Sequence, residues 1–287
     1  MSKKNLLLGT ATGKVGDLVF YRAGGEQRTR TKVTPNNPKT YAQQAQRSRM
    51  ANVTLTYRAL SALCKDTFTN RKPNQTPFNA FSADALPTAP YLHKDDASLG
   101  KFIIAPTLVA KGSVPVPWTQ IAALNDTFKV YANLAIPTAP QTVGELAAAL
   151  MGWRPCCFEE GGALVFAILE SPNDMGVDTH RARYIKIPMD PNSQVNLSTL
   201  GVVVNVQAGT EDNPALTIIS IAVGSTNFGG AAVVEKPKMG GGYDVCDARL
   251  VLCSIAGEVY DEFITDQAKR AAAESYGGTQ GSCVINS

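Results

Sequence analysis

The chain has 287 residues, 44% of them hydrophobic and 18% charged, which suits one large or two ordinary globular domains with a core. It contains no run of 18 apolar residues, so the sequence offers no membrane-spanning helix. The net charge of +3 hides a polarity: residues 1–72 hold 14 Lys and Arg against three acids (Asp17, Glu26 and Asp66), whereas residues 73–287 hold 13 against 21 acids. A basic end of this kind fits nucleic acid or an acidic protein surface, which copies of the same chain could themselves supply.

The first strand candidates are residues 5–8 and 17–22, with a returning arm over 26–33. Gly24-Gly25 between the last two is a hairpin signal, because glycine tolerates the positive φ of a tight turn. Val19 and Tyr21 share one face of the outgoing strand, Leu18 and Phe20 the other, a pattern expected of a strand buried on both faces. The return carries Arg28, Arg30 and Lys32 among polar residues and has no apolar face; with Arg22 it makes a basic hairpin that is marginal alone in water. It is therefore expected to dock on another chain or on the body. Pro35 and Pro38 then stop any strand.

Thr40-Tyr41-Ala42-Gln43 fits a capping box and predicts a long helix from Thr40. Its first turns are polar (Gln43, Gln44, Gln46, Arg47, Arg49), and Met50, Val53, Tyr57, Leu60 and Cys64 then recur at helical spacing. That stripe fits either a core face or a face packed on a neighbouring subunit. Val19, Phe20, Tyr21, Arg22, Arg28, Arg30, Lys32, Arg47, Arg49, Met50, Val53 and Tyr57 are accordingly the candidate assembly residues.

Gly13-x-x-Gly16-x-x-Val19, Asn37-Pro38-x-Thr40-x-x-Gln43, the Gln46-Arg47 pair and Asn79-Ala80-Phe81 together resemble a family of uncharacterised proteins of gut Bacteroidota-type bacteria and their tailed phages. The resemblance covers roughly the first third of the chain. It implies a virion component where members occur in phages, and it brings no activity with it.

Residues 69–76 read as a polar loop, and 78–81 as a short segment returning two aromatics to the helix. Residues 86–101 lack periodicity and read as a linker, so the expected domains are an arm-and-helix module over 1–85 and a β-rich body over 100–287. Strands are expected at 102–109, 128–134, 163–170, 183–187, 202–207, 216–223, 231–235 and 250–255. Helices are expected at 143–151, capped by Thr142, and at 261–275, stopped by Gly277-Gly278. The fold class is thus α+β: an N-terminal β-hairpin arm plus a long helix, then a sandwich- or barrel-like body with a C-terminal helix. The last ten residues read as a loose tail or as a strand added to a neighbour.

Chemical signatures are weak. Gly9 to Val15 has three residues between its glycines and Val15 after the lysine, so it lacks the spacing and the metal-binding hydroxyl of a phosphate loop. Asp178 and His180 are expected in an exposed loop without a partner serine, and Glu159-Glu160 on a turn. Trp118 and Trp153 read as packing residues. Six scattered cysteines and two histidines (His93 and His180) point to free thiols, with no metal and no cofactor expected. The sequence predicts no enzyme. It predicts a structural component of a phage virion (capsid-associated, connector or tail), kept in the host cytoplasm until assembly and partnered by its own copies and other virion proteins. The alternative is a non-specific nucleic-acid-binding accessory protein holding packaged DNA through residues 1–72. The segment before Gly9 is too short for a secretory leader, and no membrane partner is expected.

Overall fold

The computed structural model describes residues 12–23, 25–33, 39–172, 176–209 and 215–278, and the chain divides into two units, Met1–Lys39 and Thr40–Ser287. The expected strand at 5–8, the Pro35–Pro38 elbow and the last nine residues lie outside the described residues.

The first unit is one antiparallel sheet of β1 (Gly13–Val15), β2 (Leu18–Ala23) and β3 (Glu26–Thr31), in that order. Val15 pairs with Leu18, so Gly16-Asp17 is a two-residue hairpin turn, and Gly16 supplies the positive φ (59°) that such a turn requires.

The second unit opens with α1 (Tyr41–Ala59), α2 (Ser61–Thr67), α3 (Pro77–Ala85) and α4 (Lys94–Ser98). There follow β4 (Leu108–Ala110), β5 (Gln120–Leu124), β6 (Thr127–Ala132), α5 (Val143–Trp153), β7 (Ala163–Glu170), β8 (Arg181–Pro188), β9 (Val202–Gln207) and β10 (Leu216–Ala222). The chain continues through β11 (Phe228–Pro237), β12 (Tyr243–Val245), β13 (Ala248–Arg249), β14 (Val251–Leu252), α6 (Ser254–Phe263) and α7 (Asp266–Ser275). One sheet runs β5-β6-β10-β9; a second runs β12-β11-β7-β8 with β14 also on β11; β13 pairs with β4. All strand pairings in these sheets are antiparallel.

The two large sheets pack as a sandwich, and helices cover the far side of one of them. On β7, Leu164, Phe166 and Ile168 point into the core between the sheets, with the Phe166 ring edge-on to Phe128 of β6 at 6.3 Å. Ala163, Val165, Ala167 and Leu169 point the other way, into a second core with Val53, Leu60, Phe68 and Phe81 of the helical layer. β7 is consequently apolar without alternation, as a strand covered on both faces must be. β6, solvated on one face, alternates instead: Phe128, Val130 and Ala132 are buried and their neighbours are not. The sheets approach so closely at Gly230 that a Cβ there would stand 2.5 Å from the Phe128 ring. On α5, Val143, Leu146, Ala147 and Leu150 pack into the inter-sheet core, and the Thr142–Glu145 capping box closes the helix start.

The boundary expected at 85–100 is not where the chain divides. Helices α1 to α3 share a core with β7 and β11, so they belong to the body, and the division falls at Lys39 instead. α1 buries a row at four-residue intervals that is mainly polar: Gln44, Ser48, Asn52 and Thr56 are each at most 1% exposed. Two of these side chains, Ser48 and Asn52, stand in for a missing β-ladder. Ser48 Oγ donates to the Leu92 carbonyl (2.8 Å) and accepts from the Leu92 N–H (2.7 Å). Asn52 does the same for Ile103, with Nδ2 to the carbonyl at 3.0 Å and the N–H to Oδ1 at 2.9 Å. That is why residues 102–107, expected as strand, run irregularly through a buried region without unpaired backbone at Ile103.

Other elements differ in detail. The long helix ends at Leu60 and restarts as α2. The C-terminal helix is two, because the Thr265 side chain accepts from the Ala268 N–H and starts a new one. The strand expected at 250–255 is only β14, since Cys253 caps α6.

Asn52→Ala removes both partners of a buried peptide unit, which at roughly 1–3 kcal/mol per unsatisfied group should destabilise the protein by about 3 kcal/mol. Urea unfolding checks this, and a loss below about 0.5 kcal/mol contradicts the ladder role.

Candidate assembly surface

In the first unit, strand register sorts the side chains into two unlike faces. Residues directly opposite on antiparallel strands lie on the same face. Lys14 and Arg30 both pair with Val19, and Arg28 pairs with Tyr21, so one face carries three cations around Val19 and Tyr21. The Arg30 guanidinium lies 5.8 Å from the centre of the Tyr21 ring. The opposite face gathers Val15, Leu18 and Phe20 with Thr29 and Thr31, with Arg22 and Gln27 at its end. None of the described residues of this unit is buried; Val15 is 69% and Leu18 48% exposed. Lys32 extends the basic return beyond β3, its N–H donating to the Asp17 carbonyl. Lys14 and Val15 escaped the sequence reading, although Gly16-Asp17 between alternating residues is a two-residue turn signal.

The candidate residues of α1 belong to the second unit and are largely committed within it. Val53 is 1% exposed and sits in the helix–sheet core, so it does not face another molecule. Tyr57 is half-buried against Phe78 and Phe81, ring centres 5.1 and 5.4 Å away. Arg49 donates to the carbonyls of Ala89 (2.9 Å) and Pro87 (2.5 Å) and lies over the Tyr91 ring. Met50 is half-buried, and Arg47 is exposed with a bond to Gln44 Oε1 at 3.3 Å. The twelve candidates therefore split at the unit boundary: Val19, Phe20, Tyr21, Arg22, Arg28, Arg30 and Lys32 share one small sheet and its end, and the five helical ones do not join them in that unit.

Asp178 and His180, expected in an exposed loop, are buried at 5% and 7% exposure, together with Ser171 at 3%. No sequence signal marked Ser171, which the β7–β8 connection brings to them. The order of contacts differs from that of a nucleophilic triad. Ser171 Oγ donates to Asp178 Oδ2 at 3.2 Å, whereas His180 Nε2 donates to the Phe102 carbonyl at 2.8 Å and its Nδ1 has no hydrogen-bond partner. A triad needs the imidazole between hydroxyl and carboxylate. Here His180 serves Phe102, whose ring also meets it edge-on at 4.8 Å. Burial pushes the imidazole down to about 4, against the opposing pull of the Phe102 carbonyl and the Asp178 charge.

The remaining signatures are structural in their contacts. Glu159 pairs with Lys236 at 3.5 Å, and Trp118 and Trp153 pack against the inter-sheet core. Cys156 and Cys157 are free thiols with their sulfurs 3.6 Å apart. Among the described residues, no three His, Cys, Asp or Glu side chains come together as a metal site, and no helix is long and apolar enough to cross a membrane. No family model, curated protein or solved structure matches this chain.

The burial of His180 fixes a pH dependence and its sign. Its folded value of about 4 lies below the ordinary 6.5, so between these values the unfolded chain takes up a proton that the folded chain refuses. Stability should fall as pH drops from 6.5 to about 4, by up to ~3 kcal/mol, and His180→Gln should remove that part of the slope. Superimposable pH–stability curves for the two proteins contradict this assignment.

Proposed function

We propose that this chain is a structural component of a bacteriophage particle (capsid-associated, connector or tail) and that it holds neighbouring molecules through the sheet β1-β2-β3. The observation that carries this reading is a sheet whose central strand, β2, bears apolar residues on both faces with no buried residue among those described. A short sheet gains independent stability by packing an apolar face. A neighbour laid on Val15, Leu18 and Phe20 supplies the burial that the unit lacks. The particle assignment draws on the family resemblance around Gly13, Gly16 and Val19. In this reading the protein resides in the virion, and in the host cytoplasm while particles are built.

The cations on one face also suit the backbone of packaged DNA, the second reading. Arg49 does not extend that track, being tied to Ala89 and Pro87. Tyr21 is the one aromatic on the basic face of the described sheet, where a strand-binding platform stacks several bases. Protein partners are therefore favoured.

Burying a Leu or Phe side chain contributes about 1.5–3 kcal/mol, so Leu18→Asp or Phe20→Asp should weaken self-association roughly 10- to 100-fold. Sedimentation velocity across concentration, read against the 30.5 kDa chain, measures this. Wild-type protein that stays monomeric throughout, with no copies found by mass spectrometry of purified particles, would overturn the assembly reading.

A further inference from the structure

We infer that the basic face of the N-terminal sheet docks on the two C-terminal helices of a second copy of the same chain. The inference rests on the assembly reading above, that this sheet holds neighbouring molecules, and adds a partner for its basic face, opposite Val15, Leu18 and Phe20. It comes from where the charge lies. Residues 1–39 contain eight Lys and Arg against two acids, and residues 40–287 contain 19 against 22. The stretch 254–275, which is α6 and α7, holds five acids and two bases, Lys269 and Arg270. The whole negative excess of the second unit thus sits on these two helices, and the remainder of that unit is neutral.

The geometry concentrates that charge. Ile255, Glu258 and Glu262 are exposed at spacings of three and four along α6, with Asp261 beside them, so they form one outward row. None of Glu258, Asp261 and Glu262 takes part in an ion pair among the described residues. Ile255 (39% exposed) gives the row an apolar member at its start. The sheet mirrors this: Lys14 and Arg30 have no carboxylate partner there, and Arg28 meets only the exposed Glu26 at 3.7 Å. Val19 and Tyr21 lie between the cations as the apolar counterpart. Carboxylates facing cations steer encounter and fix orientation, while the apolar contacts supply burial.

Each copy owns one sheet and one helical row, so the contact is heterologous, head to tail, and builds rings or filaments by repetition. A particle component present in many copies requires such propagation, and a purely self-complementary face would stop at a dimer.

Complementation between two charge-reversed chains tests this. The Arg28→Glu, Arg30→Glu chain keeps its helical row but loses its basic face; the Glu258→Lys, Glu262→Lys chain keeps its sheet but loses the row. Each alone should assemble at least tenfold more weakly than the wild type. An equimolar mixture should recover assembly, since the native row of the first chain meets the native sheet of the second and the reversed sheet meets the reversed row, and raised salt should weaken it. The neutral Glu258→Gln, Glu262→Gln chain, with native-like circular dichroism, should assemble at least tenfold more weakly. Either charge-reversed chain assembling like the wild type, or a mixture that assembles no better than its components, overturns the inference while leaving the assembly reading intact. A wild type monomeric at every concentration removes both.

Discussion

β7 must be covered on both faces, and that constraint organises the second unit. Its residues are apolar without interruption from Ala163 to Leu169, so one sheet alone cannot shield them. The four-stranded sheet takes the face bearing Leu164, Phe166 and Ile168; α1, α2 and α3 take the face bearing Ala163, Val165 and Ala167. Ala163, Val165 and Ala167 toward the helices are smaller than Leu164, Phe166 and Ile168 toward the facing sheet, with Leu169 a large residue on the helix side. Val53 of α1 is buried in this layer, and the first unit is the part of the described chain without buried residues.

Covering a sheet with helices leaves connecting backbone to run through buried space, and buried peptide groups need partners. Residues 89–104 meet that need through side chains. Ser48 holds both groups of Leu92, Asn52 both groups of Ile103, Arg49 the Ala89 carbonyl, and His180 the Phe102 carbonyl. One physical requirement thus accounts for a polar row on the inner side of α1 and for a neutral, buried histidine. Residues that read as solvated or as candidate chemistry are bound to backbone instead.

Much of the architecture was legible from residue patterns. The bounds of β7 and β9 follow from apolar runs between turn residues, and the start of α5 from Thr142 and Glu145. Tertiary choices were not legible. Nothing local says that Ser48 and Asn52 turn inward, because their partners lie some 40 to 50 residues away. For the same reason the aperiodic stretch after Leu86 looked like a linker between domains. On the candidate surface, alternation along β2 was readable, but the sorting of cations onto one face needed the pairing of β2 with both β1 and β3.

The most direct measurement is amide hydrogen exchange in the peptide covering residues 18–31, followed from dilute to concentrated protein. If β1-β2-β3 completes its bonding on another molecule, those amides should exchange freely in the dilute monomer and become protected as sedimentation shows larger species, while β7 stays protected throughout. Protection of residues 18–31 that is unchanged by assembly, or already full in the monomer, would contradict the account.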